Sequence, residues 1–170
     1  MNRISVFNVI WDKIENIVLS HIRESLNKNV SSNGEFNRAY KSATGMFIYG
    51  NLIEKHWLNE LRSEDNAKAE KFLHSLQSFT LQPVSYNYWN TILGYIITLI
   101  IGVATSGILA GITALPLFKI ILWGVFAMIV ASGILLPVFK QRQQRHLEEV
   151  ICSYRQQLED LRKALTEIIL

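Results

Sequence analysis

Three regimes of hydrophobic patterning follow one another along this chain. Through residues 1–88 apolar side chains recur at helical spacing among charges. Through 89–139 they run almost unbroken, and from Leu147 they return in alternating steps of four and three. The first regime predicts three helices. Phe7, Trp11, Ile14 and Val18 recur at spacings of four, three and four, with Ile10, Ile17 and Ile22 widening the stripe, so residues 4–26 read as helix. Asn, Ser and Gly crowd residues 27–34, turn chemistry that interrupts it. A second helix is expected over 35–62 through Phe36, Tyr40, Ala43, Phe47, Ile53, Trp57 and Leu61. Gly45 and Gly50 weaken its middle, because glycine costs about 1 kcal/mol against alanine inside a helix, so a kink or a close helix contact is expected there. Ser63 suits the N-cap of a third helix, with Glu64 and Asp65 in a first turn that favours negative charge. Phe72, Leu73, Leu76 and Phe79 give that helix one apolar face, and Pro83 is expected to end it. No alternating strand run and no internal repeat stands in the sequence.

The second regime changes the setting. No Asp, Glu, Lys or Arg lies between Lys71 and Lys119, nor between Lys119 and Lys140. Two stretches, 91–112 and 120–138, reach the roughly 20 apolar residues that a bilayer crossing needs. Tyr86, Tyr88 and Trp89 precede the first as an interfacial aromatic belt would. The expected fold is therefore an all-α integral membrane protein. It comprises an N-terminal cytoplasmic helical bundle (1–88) beside the membrane, a two-helix transmembrane hairpin (89–139) and a C-terminal heptad helix (140–170). The apolar pattern near the N-terminus is broken by Asp12, Lys13 and Glu15 and does not read as a signal peptide, which leaves the first span as the targeting element. Lys140, Arg142 and Arg145 follow the second span, whereas the outer turn over 113–119 offers only Lys119. The positive-inside rule then places both ends in the cytoplasm. The same three cations could touch anionic lipid headgroups, although a topology signal accounts for them more simply.

The first span carries two faces. At about 100° per residue, Thr91, Tyr95, Thr98, Gly102 and Thr105 share a stripe, and Ala104, Gly107 and Gly111 lie opposite. Gly107 and Gly111 form a GxxxG pair, which lets helix backbones approach closely in lipid. Two readings turn this small face onto the second span. In one, the threonines bond within their own helix; in the other, the hydroxyl stripe lines a pore between copies. The second span offers Gly124, Ala127 and Ala131 as a small face, with Ser132 its single hydroxyl. Neither span holds a charged residue, which argues against a proton relay or a coupled transporter. The short outer turn argues against a receptor for an extracellular ligand.

The tail is the most regular segment. Leu147, Ile151, Tyr154, Leu158, Leu161, Leu165 and Ile168 are separated by 4, 3, 4, 3, 4 and 3, so that Ile151, Leu158 and Leu165 take a positions and the others d. Val150 and Ala164 at g and Ile169 at e make the apolar face wider than a two-stranded seam needs. Such a face suits self-association into a larger ring and equally suits packing onto the N-terminal helices.

Composition removes other classes. The net charge is +3, and residues 1–88 hold ten Lys or Arg against nine Asp or Glu, so no direct nucleic-acid binding is expected. Cys152 is the single cysteine, which excludes an intramolecular disulfide and a multi-cysteine metal site. None of His21, His56, His74 and His146 has a second His or Cys at metal-ligand spacing, and no HExxH, GxGxxG or GxxxxGK[ST] pattern is present. Three residues separate Arg142 from His146, one short of the four to six in the Arg…His motif of the HEPN ribonucleases. No catalytic residue, cofactor or metal ligand is expected, and no enzymatic activity.

In segment order across most of its length, the chain resembles small two-span membrane effectors of bacterial anti-phage systems, such as the SLATT proteins and the small membrane accessory proteins of RNA-targeting CRISPR systems. The resemblance implies a multi-pass protein of the bacterial inner membrane that forms homo-oligomers and permeabilises the bilayer in defence. The expected function is accordingly an oligomeric inner-membrane pore or membrane-perturbing effector. Its alternative is a membrane-anchored adaptor whose cytoplasmic helices bind a protein partner.

Overall fold

A computed structural model describes residues 3–49, 52–87, 89–112 and 116–170, apart from the side chains of Phe47, Leu52, Ile53, Asn90 and Thr91. Among the described residues the chain is all-helical: α1 (Arg3–Asn27), α2 (Asn33–Tyr49), α3 (Leu52–Glu64), α4 (Asn66–Ser78), α5 (Trp89–Ile112) and α6 (Leu117–Ile169). These form two compact units. One comprises Met1–Ser85 together with Glu149–Leu170, and the other comprises Tyr86–Glu148.

The first unit is a helical bundle whose elements end where local chemistry says they must. Asn29 adopts φ 58, the left-handed region that asparagine tolerates. Around it Val30 N–H donates to the Ser25 carbonyl at 2.9 Å and Asn29 N–H to the Leu26 carbonyl at 2.9 Å, so the last carbonyls of α1 are satisfied by a Schellman motif. The single helix expected over 35–62 is two helices, α2 and α3, and Gly50 lies between them, outside the described residues. The N-cap of α4 is Asp65 and not Ser63. Asp65 Oδ1 accepts from Lys68 N–H at 3.0 Å, whereas the Ser63 hydroxyl donates back to the Glu60 carbonyl at 2.8 Å, inside α3. A carboxylate satisfies an orphan N–H and the helix dipole together, and so outcompetes the neighbouring hydroxyl.

The α4 helix also stops at Ser78, well ahead of Pro83. Beyond it the backbone is extended and held by side chains that copy the pairing of a neighbouring strand. Asn37 accepts from Leu81 N–H at 2.8 Å and donates to the Leu81 carbonyl at 3.2 Å. Gln157 does the same to Gln82 at 2.7 and 3.2 Å. Val84 N–H donates to the Tyr154 hydroxyl at 3.2 Å. Backbone groups leaving a helix need partners, and here two amides and a phenol supply them.

The core of this unit is large and aromatic. Phe7 stacks on Trp57 at 5.8 Å and meets Phe72 edge-on at 5.8 Å, while Trp57 donates its indole N–H to the Arg3 carbonyl at 3.1 Å. The C-terminal segment of α6 belongs to the same core. Val150, Ile151, Tyr154, Leu158, Leu161, Leu165 and Ile169 are buried, and Tyr154 meets Phe36 edge-on at 5.5 Å. At its end the buried position is Ile169, with Ile168 only half-buried. Ile151 and Ile169 are five turns apart at 3.6 residues per turn, the period of a straight bundle helix and not of a supercoiled heptad seam. Of the two readings left open for the tail, the chain adopts the intramolecular one.

The second unit contains α5 and the first part of α6. The most apolar windows of these helices have mean hydropathies of 2.2 and 2.3, and both are long enough to cross a membrane. Only 17% and 11% of those windows is buried. The second span and the tail, expected as separate helices, are one continuous helix that runs through Pro137. Lacking an N–H, Pro137 leaves the Gly133 carbonyl without its helical partner. The outer turn expected over 113–119 falls partly on residues 113–115, outside the described set.

Candidate functional site

The hairpin packs along a line of small residues on α5 spaced by four: Gly94, Thr98, Gly102 and Ser106. A Cβ on Gly102 would stand 3.1 Å from Met128 Cβ and 3.2 Å from the Gly124 carbonyl. One on Gly124 would collide with the Ser106 hydroxyl and stand 3.0 Å from the Gly102 carbonyl, and one on Gly94 would stand 3.0 Å from the Phe139 ring. The two backbones thus cross at Gly102 and Gly124, where only glycine fits. Thr98, Thr105 and Ser106 donate to their own helix, to Tyr95, Ile101 and Gly102 carbonyls at 2.8, 2.8 and 3.0 Å.

This reverses the two faces expected from sequence. Thr98, only 4% exposed, and Gly102 are contacts within the hairpin, and Thr105 is half-buried. Tyr95, at 59%, is exposed, and the side chain of Thr91 lies outside the described residues. Ala104 is exposed, and nothing comes within 4 Å of a Cβ on Gly107 or Gly111, so the face expected to pack on the second span is open. The reason is length: four small residues at 94, 98, 102 and 106 offer a longer close-approach track than the Gly107–Gly111 pair. That spacing stands in the sequence, where Thr98 and Ser106 among the glycines make it less conspicuous than a GxxxG pair. On α6, Gly124 is buried and Ala127 and Ala131 are half-buried, so the small face expected there is the one used.

At the other end of the hairpin, the start of α5 is tied to α6. Tyr86 stacks on the His146 ring, at 5.6 Å and 6° between planes, and its hydroxyl accepts from Gln143 Nε2 at 2.6 Å. Asn87 N–H donates to His146 Nε2 at 3.1 Å, and Asn87 Oδ1 accepts from Trp89 N–H at 2.9 Å, opening the helix. His146 Nε2 thus serves as an acceptor for the backbone that leads into α5. Lys140, Arg142 and Arg145 are all exposed.

The bundle presents polar chemistry of its own. Tyr40 donates to the Leu76 carbonyl at 2.8 Å, an orphan in the last turn of α4, and burial pushes its phenol well above the ordinary value. Burial likewise raises Tyr154, opposed by the hydrogen bond it accepts from Val84. Burial raises the Glu15 carboxyl, against the pull of Arg155 at 3.4 Å. Arg162 reaches Asp12 at 3.1 Å and Asn8 at 3.2 Å. Between α1 and α2 lies an open groove of about 620 Å³, in which Ile17, Val30 and Ala39 are bordered by His21, Lys28 and Arg38. His56 pairs with Glu60 at 3.2 Å on an exposed face, and Cys152 is exposed. Among the described residues no group of three or more His, Cys, Asp or Glu could hold a metal ion.

Of the tail residues with heptad spacing, Ile151, Tyr154, Leu158, Leu161 and Leu165 converge in the bundle core. Leu147 is buried too, within the hairpin unit. No protein family, no curated protein and no solved structure matches this chain.

Proposed function

We propose that this protein is a membrane-anchored adaptor: the hairpin of α5 and α6 crosses the bacterial inner membrane, both chain ends lie in the cytoplasm, and the helical bundle receives a protein partner. The carrying observation is the fate of the tail. Its apolar face, the strongest candidate for assembly, is spent inside the bundle, leaving a self-contained unit with an open groove of mixed character, in which Ile17, Val30 and Ala39 lie among His21, Ser25, Lys28, Glu35, Arg38 and Ser42. The outward residues of α5 and α6 are large and apolar, as lipid requires. Lys140, Arg142 and Arg145 against a lone Lys119 support the orientation.

A second reading, an oligomeric membrane-perturbing effector of the anti-phage kind, is favoured by one observation. The open Ala104, Gly107 and Gly111 face can bring hairpins of neighbouring copies together. Light scattering on the detergent-solubilised protein, paired with dye release from vesicles carrying it, separates the two. The adaptor reading expects a monomer or dimer and tight vesicles. A ring of several copies that releases dye would replace it with the effector.

A further inference from the structure

The cations that follow the second span have a chemistry that a topology signal alone does not use. Lys140, Arg142 and Arg145 are exposed, and among the described residues none has a hydrogen bond or ion pair. No Asp or Glu stands between Glu70 and Glu148, so no carboxylate of this hairpin unit precedes them. Arg142 and Arg145 are three residues apart, neighbours on one helix face. Gln143 and His146, on the adjoining strip of the same helix, hold Tyr86. That second contact fixes the level of the patch. It ties residues 143–146 of α6 to the residues just before α5, where Trp89, 53% exposed, supplies an indole of the kind that settles at headgroup depth. Two guanidiniums and an ammonium are thus presented beside an interfacial aromatic, directly where the apolar span ends.

We infer that this collar binds the headgroups of anionic phospholipids, with Arg142 and Arg145 gripping the phosphate oxygens and Lys140 adding charge. Guanidinium is suited to phosphate by its forked donors, and each cation near an anionic membrane surface contributes about 1 kcal/mol. The inference rests on the membrane reading of the hairpin.

Native mass spectrometry of the full chain in detergent, with equal amounts of phosphatidylglycerol and phosphatidylethanolamine, tests it. The wild type should retain phosphatidylglycerol in excess. Lys140→Gln, Arg142→Gln and Arg145→Gln together should reduce that excess at least about tenfold. Lys140→Arg alone should keep it, Arg142→Lys with Arg145→Lys should keep the charge-driven part and lose the part that the forked donors supply, and Lys119→Gln should leave it unchanged. Unaltered enrichment in the triple glutamine variant, or equal loss from Lys119→Gln, overturns the collar. Carbonate extraction tells the two failures apart. A chain released from membranes at alkaline pH sinks the membrane reading and the collar together, whereas one that stays embedded but shows no preference sinks the collar alone.

Discussion

The bundle and the hairpin are built from the same element with opposite rules about what goes inside. In the bundle the interior holds the largest side chains, Phe7, Trp11, Trp57, Phe72 and Tyr154, while charged pairs such as Arg162 with Asp12 lie toward the surface. In the hairpin the smallest residues meet, Gly102 on Gly124, and the large ones, Val103, Leu122, Phe126 and Ile134, face outward. Water drives apolar bulk inward, so a water-solvated unit is stabilised by burying area. Lipid exerts no such drive between helices, and close backbone packing replaces it. The α6 helix obeys both rules in turn: outward-facing Ile, Leu and Val before Lys140, inward-facing ones after Glu149. This inversion within one helix supports the membrane reading proposed for the hairpin.

The comparison breaks most completely at Leu158, which is wholly buried in the bundle. Leu158→Ala should remove about 2–5 kcal/mol from the bundle, and Leu158→Asp should abolish its cooperative melting, because an unpaired carboxylate cannot be buried. Circular dichroism melts of the detergent-solubilised protein read both. A melting curve left in place by Leu158→Asp would mean that the tail packs elsewhere, and the self-association reading of the heptad would return.

On the hairpin side the sensitive position is Gly124, not Gly107. Gly124→Leu drives a side chain into Ser106 and the Gly102 backbone, an overpacking that costs about 1–3 kcal/mol. Gly107→Leu enters open space and should leave the thermal midpoint unchanged in size-exclusion runs after heating. A Gly107→Leu protein of reduced particle mass would show that this face joins copies, and would favour the membrane-perturbing effector.

What could be read from sequence divides along the same line. The stripe of α1, apart from the exposed Ile17, and the positions of the two long apolar helices were legible because periodicity and hydropathy are local properties. The tail's partner was not. Alternating fours and threes state that a helix has an apolar face, and only tertiary structure tells whether Phe36 or a second copy covers it. The hairpin's packing face is obscured for a related reason: a GxxxG pair is conspicuous, whereas Gly94, Thr98, Gly102 and Ser106 mix residue types and share only their small size. Asp65 displaced Ser63 as an N-cap because adjacent capping residues compete, and the sequence does not say which turn α3 will complete. The clamp of Asn37 and Gln157 on the extended chain left no local signal, since it joins positions far apart in sequence.

The smallest expected effect concerns how much charge the bundle tolerates near its interior. Glu15 is 15% exposed at its side chain, and burial raises its pKa above the unfolded value despite Arg155. The folded state therefore holds the Glu15 proton more tightly than the unfolded state. Above the folded pKa the carboxylate is a net burden, and the burden disappears as pH falls through the folded pKa toward the ordinary carboxylate value. Glu15→Gln should consequently raise the melting midpoint slightly at pH 7, by under about 1 kcal/mol of stability, and the gain should fade to nothing near pH 4. A variant less stable than wild type at pH 7, with the deficit vanishing in acid, would mean that Arg155 outweighs the burial. In that case Glu15 would belong with the surface pairs that hold the tail in place, and the boundary between the bundle's apolar interior and its charged rim would lie one helical turn further in.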